Sequence, residues 1–152
     1  MGGLIKETPN NQMINPSCSS SEFRSAVFGL QDYMMTELSD FHVEPLVEHY
    51  FADGMYGRKM TIEKGVTIVG KIHKHSHVNV ISQGIIDVYT EFGTVRYEAP
   101  ITFVSNPLTK RVVRAIEKTV WTTVHVTNET DLEKIEAEVI AENYNGIEGG
   151  GV

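Results

Sequence analysis

Hydrophobic positions change their period along the chain, and each change predicts an element. Phe23, Ala26, Val27, Leu30, Met34 and Leu38 recur at helical spacing, and Ser19 with Glu22 forms a capping-box signature. This predicts an amphipathic helix that ends near Leu38. From Val47 to Thr127 the apolar residues fall instead into short β-branched and aromatic runs. Turn signals separate them at Asp53-Gly54, Lys64-Gly65, Gln83-Gly84, Phe92-Gly93 and Asn106-Pro107. The runs predict strands at 47–52, 55–62, 66–73, 77–82, 85–91, 94–98, 101–104, 110–116 and 119–127. Thr130 and Glu133 then repeat the capping pattern, and Leu132, Ile135, Val139 and Ile140 predict a second helix that stops before Asn145-Gly146.

So many short strands between turns predict a mainly β fold, an antiparallel β-barrel or sandwich with an N-terminal and a C-terminal helix. The helices must bury their apolar faces on the sheet or on another subunit. Residues 1–20 lack periodicity and are rich in Asn, Pro, Ser and Gly, which predicts an extended or disordered arm. A single domain is expected over 21–146, followed by a flexible tail at 147–152.

Composition narrows the classes. At 152 residues the chain can bury one continuous core without disulfides, and no apolar run approaches the roughly 20 residues of a membrane helix. A net charge of −7 repels a phosphate backbone, so nucleic acid is an unexpected partner. Cys18 is the only cysteine, the N-terminus lacks a secretory pattern, and Lys6 stands where a myristoylation signal wants serine or threonine. A cytoplasmic setting is expected.

The chemistry concentrates in Gly70-Lys71-Ile72-His73-Lys74-His75-Ser76-His77-Val78-Asn79-Val80. Alternation in a strand puts His73, His75 and His77 on one face, and converging imidazoles suit Zn, Fe, Mn or Ni. An unbroken strand would spread them over about 13 Å, so one ion can be reached only if the chain bends near Ser76. The competing reading leaves one or two of them in solvent, paired with acids such as Glu98 or Asp87.

His125 shares a strand face with Trp121, Thr123 and Thr127, while Val120, Val124 and Val126 take the other. If the polar face lines the interior, His125 approaches the triple-histidine segment and Trp121 forms an apolar wall. The expected metal ligands are therefore His73, His75, His77 and His125, with Arg111, Trp121 and Asn79 as candidate ligand-binding residues. His49 reads more simply as a core histidine. No phosphate loop, Gly-x-Ser-x-Gly elbow, Cys-x-x-Cys pair or His-Glu-x-x-His helix occurs.

The order Gly70, His73, His75, Gly84 resembles the first motif of the cupin superfamily, with His77 where that motif carries a glutamate. The turn Asn106-Pro107-Leu108-Thr109-Lys110-Arg111 resembles the second motif, with Arg111 in the place of a ligand histidine. A guanidinium cannot ligate a metal but can clamp an anion. The segments at 49–58, 70–75 and 119–125 also resemble a family of small cupin-like proteins of tailed bacteriophages, which has no settled activity. The resemblance implies a cupin-type jelly-roll barrel and a viral protein of the infected cell's cytoplasm or of the virion.

Three functions stay open at this level. One is a divalent-metal cupin, with Glu98, Tyr97 and Glu117 as the available acid or base groups if it is an enzyme. The second is a metal-free protein that sequesters a small molecule. The third is a virion or assembly component that docks on other phage structural proteins. A homodimer or larger homo-oligomer is expected in each, because an uncovered strand edge is a liability.

Overall fold

The computed structural model describes residues 13–14, 19–38 and 43–142; Cys18 and most of the predicted arm and tail lie outside the described residues. In chain order the elements are β1 (Met13–Ile14), α1 (Ser20–Thr36), β2 (Leu46–Ala52), β3 (Met55–Ile62), β4 (Thr67–Val69), β5 (Ile72–His73) and β6 (His77–Gln83). They continue with β7 (Ile85–Thr90), β8 (Gly93–Glu98), β9 (Ile101–Ser105), β10 (Val112–Ala115), β11 (Thr119–Val126), α2 (Leu132–Val139) and β12 (Ile140–Ala141).

Two five-stranded sheets carry the fold, ordered β1-β8-β7-β10-β4 and β2-β3-β11-β6-β9, with β12-β5 as a separate pair; every pairing is antiparallel. The expected closed barrel is corrected here. No ladder among the described residues joins the edge strands of one sheet to those of the other, so the architecture is two facing open sheets. From β3 onward the chain repeatedly switches sheets, which is consistent with a jelly roll.

The sheets are held by apolar residues on their inner faces. Ile62, Ile81 and Trp121 from one sheet meet Ile86, Val88, Val113 and Ala115 from the other, all buried. Removing such an isoleucine side chain from water contributes about 1.5–3 kcal/mol, an upper figure because the unfolded chain already shields some of it. Gly84 sits at φ 95°, and a Cβ there would lie 2.2 Å from the Lys118 carbonyl oxygen, so the β6–β7 turn admits only glycine.

One predicted strand is divided. The run at 66–73 leaves the first sheet at Gly70, whose N–H donates to the Arg111 carbonyl at 2.8 Å, and re-forms as β5 against β12. A second feature follows at residues 74–76, where the chain bends before β6 begins.

Both helices are anchored where the sequence indicates. Ser19 and Glu22 close the capping box of α1, and Val27 is its buried residue. Arg24 donates from two nitrogens to Glu91 at 2.9 and 3.1 Å, and Lys110 reaches Gln31 at 2.9 Å with its ammonium 4.7 Å from the Phe28 ring centre. The second helix is capped by Asp131, one residue later than the Thr130 of the predicted box. Its Ile135 and Val139 pack on Tyr56 of β3. Lys71 pairs with Glu136, and Lys74 donates through its ammonium to Ala137 O and through its backbone N–H to Val139 O, each at 2.8 Å. The second helix therefore clamps the histidine segment in place.

Candidate functional site

The register of the second sheet builds the site. Trp121 lies opposite Met60 and Ile81, Thr123 opposite Arg58 and Asn79, His125 opposite Tyr56, and His77 opposite Ser105. Directly opposed residues point to the same face. The inner face is therefore apolar from Ile62 to Trp121 and polar from Arg58 and Thr123 to His77 and His125.

Three imidazoles meet at that polar end. The ring centres of His73 and His77 are 4.5 Å apart, those of His77 and His125 4.7 Å, and those of His73 and His125 5.4 Å. The bend at residues 74–76 brings His73 back over His77. It also leaves His75 exposed at its apex, without a ring contact to the others among the described residues. The expected four-histidine set is thus three rings together and one outside.

Two nitrogens of the trio, His73 Nδ1 and His77 Nε2, are buried without a hydrogen-bond partner. Leaving a buried polar atom unpaired costs about 1–3 kcal/mol, so each calls for a reason. His77 Nδ1 faces the His75 carbonyl oxygen at 3.4 Å, a long contact that favours the proton on Nδ1 and leaves the Nε2 lone pair free. His125 Nε2 lies 3.1 Å from Thr123 Oγ1.

The rings are held neutral. Burial, then the neighbouring His77 and His125, then Arg111 and Arg58, push His73 down to about 3 from 6.5. Burial, then His125 and Arg111, bring His77 down to about 4, against weaker upward pulls from its bonds to His75 and Asn79. His125 is lowered by burial first and by Arg58 and His75 after it. A neutral imidazole with a free lone pair is the form that ligates a metal.

Spacing and orientation give different answers about a shared ion. Three imidazoles bound through nitrogens about 2.1 Å from one cation would have ring centres roughly 4.5–5.3 Å apart for ligand angles of about 90–109°. Two of the observed separations, 4.5 and 4.7 Å, fall in that range, and the third, 5.4 Å between His73 and His125, lies just above it. Yet no group of three His, Cys, Asp or Glu side chains among the described residues is arranged to hold a metal ion as it stands. The His73 and His125 planes lie 11° from parallel, stacked rather than pointed at a common centre. Rotation about the second side-chain torsion, which has a broad well in histidine, would be needed to aim the nitrogens.

Around the trio runs a satisfied polar network. Asn79, fully buried, accepts from Trp121 Nε1 at 3.0 Å and donates to Ser105 Oγ at 2.5 Å, and Arg111 also donates to that hydroxyl. Asn79 and the Trp121 N–H are thereby committed to each other, and Trp121 belongs to the apolar core. Arg111 is half-buried beside Tyr97, whose pKa burial raises and the guanidinium lowers.

The loop that supplies Arg111 is tied to His73. Leu108 N–H donates to the His73 carbonyl at 2.7 Å from a residue with φ 64°, a conformation costly for leucine. Arg58 and Tyr56 line the same end and were not singled out by the sequence reading; their only signal was the inner-face alternation of β3. Asp87, a suggested partner of the histidines, is held by Arg96 at 2.6 and 2.8 Å instead, and Glu98 and Glu117 are exposed. His49 lies at an exposed position with Nδ1 2.7 Å from the Tyr56 hydroxyl.

No family model and no curated protein matches the chain. Among solved structures it is similar to a cupin superfamily protein from Desulfitobacterium hafniense, at 7% identity over 55% of this chain and 77% of that one, with a TM-score of 0.49. It is also similar to salicylate 1,2-dioxygenase from Pseudoaminobacter salicylatoxidans, at 15% identity over 68% of this chain and 31% of the dioxygenase, with a TM-score of 0.49. A putative ethanolamine utilization protein Q from Salmonella typhimurium covers 55% of this chain and 69% of its own at 9% identity, with a TM-score of 0.47. No helix among the described residues is long and apolar enough to cross a membrane.

Proposed function

We propose that the polar end of the sandwich is a divalent-metal pocket whose ligands are His73, His77 and His125. The supporting observation is the pair of buried, unpartnered nitrogens, His73 Nδ1 and His77 Nε2, inside a trio of imidazoles spaced as ligands of one ion. Three neutral nitrogen ligands and no carboxylate suit Zn, Fe or Ni better than Mn, and leave coordination positions open for a small molecule. A bound ion would supply Lewis acidity or a site for that molecule. This chain's own part is to keep the rings neutral and to hold His73 over His77 through the β5–β12 pairing.

Elemental analysis of the purified full chain tests this. About one divalent ion per chain is expected, lost in His73→Leu and His77→Leu variants that keep their circular dichroism. A wild-type protein that stays metal-free and takes up none of these ions from a buffered titration overturns the metal reading. It would leave a metal-free ligand pocket, the reading favoured by the stacked orientation of His73 and His125.

A further inference from the structure

The arginines divide into two kinds. Arg24 and Arg96 each bind a carboxylate through two nitrogens, and Arg114 is exposed to water. Arg58 and Arg111 are half-buried, yet neither forms an ion pair with any described residue. Arg111 donates to Ser105 Oγ, and Arg58 has only a 3.8 Å contact from its guanidinium to the Met60 sulfur. Both stand at the histidine end, in a chain whose net charge is −7.

Their placement is on two sides of the trio. Arg58 occupies the inner face beside Thr123, one pair along from Tyr56 and His125. Arg111 reaches Ser105, which is opposite His77. Each charge bears on His73, Arg111 also on His77, and Arg58 also on His125, and no carboxylate among the described residues is a cause of the shifts of these rings. Sequestering two cations from water without a counter-charge is unfavourable, and neutral imidazoles give no compensation. The two side chains are therefore candidate donors to an oxyanion at that end, since a guanidinium presents paired N–H groups that match a carboxylate or phosphate.

We propose that Arg58 and Arg111 form a two-sided clamp for a small oxyanion, a carboxylate or phosphate group, seated against the His73, His77 and His125 rings. This rests on reading that end of the sandwich as a ligand pocket and deepens it, but does not need a metal to be bound. The net charge of −7 opposes an anion at long range, so the attraction must come from the two guanidiniums close to it.

Calorimetric titration of the metal-stripped full chain with malonate and, separately, with inorganic phosphate tests the clamp and tells the two oxyanion classes apart. At least one is expected to bind and to raise the thermal midpoint. Arg58→Gln and Arg111→Gln should each weaken that binding tenfold or more, and the corresponding lysine variants should recover part of it. Should one glutamine variant fail to fold, the other and the ligand-induced midpoint shift of the wild type decide. Failure of both anions to bind the stripped protein, or binding that survives both substitutions, overturns the clamp. Anion binding that depends on added Zn²⁺ and ignores the arginines overturns it too, while supporting the metal pocket; arginine-dependent binding by a protein that takes up no metal does the reverse.

Discussion

The two ends of the sandwich interior are built from the same strands on opposite principles. At one end Ile62, Ile81, Ile86, Val88, Val113 and Ala115 bury themselves with nothing polar to satisfy. At the other, a few residues further along β3, β6 and β11, the same inner face carries Arg58, Thr123, Asn79, His77 and His125. Trp121 and Asn79 form the seam, the indole ring in the apolar half and its N–H bonded across the boundary at 3.0 Å. The apolar end stabilises the fold; the polar end holds two unpartnered nitrogens and two guanidiniums, those of Arg58 and Arg111, that form no ion pair with a described residue. Proteins concentrate such uncompensated groups where they bind something.

Mutation should separate the ends most sharply. Ile81, fully buried, leaves a cavity when cut back, so Ile81→Ala is expected to cost about 2–5 kcal/mol in urea denaturation. His77→Leu, equally deep in the polar end, should change stability by less than about 1 kcal/mol or raise it, because it removes an unsatisfied buried nitrogen. A His77→Leu loss as large as that of Ile81→Ala would show that the polar end is core by another composition.

Acid should act on one end only. The unfolded chain's histidines titrate near 6.5, whereas folded His73 and His77 do so at about 3 and about 4. Between those values the unfolded state binds more protons. The stability these rings permit is therefore full above pH 6.5 and falls as the pH drops toward about 4, by at most about 1.4 kcal/mol per pH unit for each ring. The His73→Leu/His77→Leu double variant should lose that part of the slope. Urea midpoints at pH 7.5 and 4.5 for both proteins give the comparison, and identical slopes would refute the neutral, buried state of the rings.

The apolar end was the more legible in sequence. Period-2 alternation and turn glycines located the strands of both sheets to within a few residues, except β1, which lies in the stretch 1–20 expected to be an arm, because burying one face of a sheet fixes which residues alternate. The alternation in β11 also put Trp121 and His125 on one face without saying which way it points; the structure turns it inward, with Val126 left 87% exposed on the other. Two other features resisted. Closure into a barrel depends on hydrogen bonds between edge strands, which no local pattern encodes. The division of the 66–73 run at Gly70 depends on the Arg111 carbonyl, forty-one residues away in the chain. For the same reason Arg58 was passed over: a cation in a strand looks like a solvated one until the partners of every other arginine are known.

His75 gives the finest test, because alternation alone makes it equivalent to His73 and His77 while the structure does not. The bend at residues 74–76 turns it outward; its backbone oxygen faces His77 Nδ1 at 3.4 Å, and its ring reaches the trio only through its charge, the smallest of the influences that lower His125. That oxygen survives any substitution of the side chain. His75→Ala should therefore shift stability by no more than about 0.5 kcal/mol, as an exposed residue does, and leave metal content and anion affinity as in the wild type. Loss of the metal in this variant, with the thermal midpoint of the metal-free protein unchanged, would mean that the bend folds inward when the ion binds. The boundary between the two ends would then be set by the ligand as well as by the strand register, and the stacked rings of His73 and His125 would be the resting form of a site that closes around its ion.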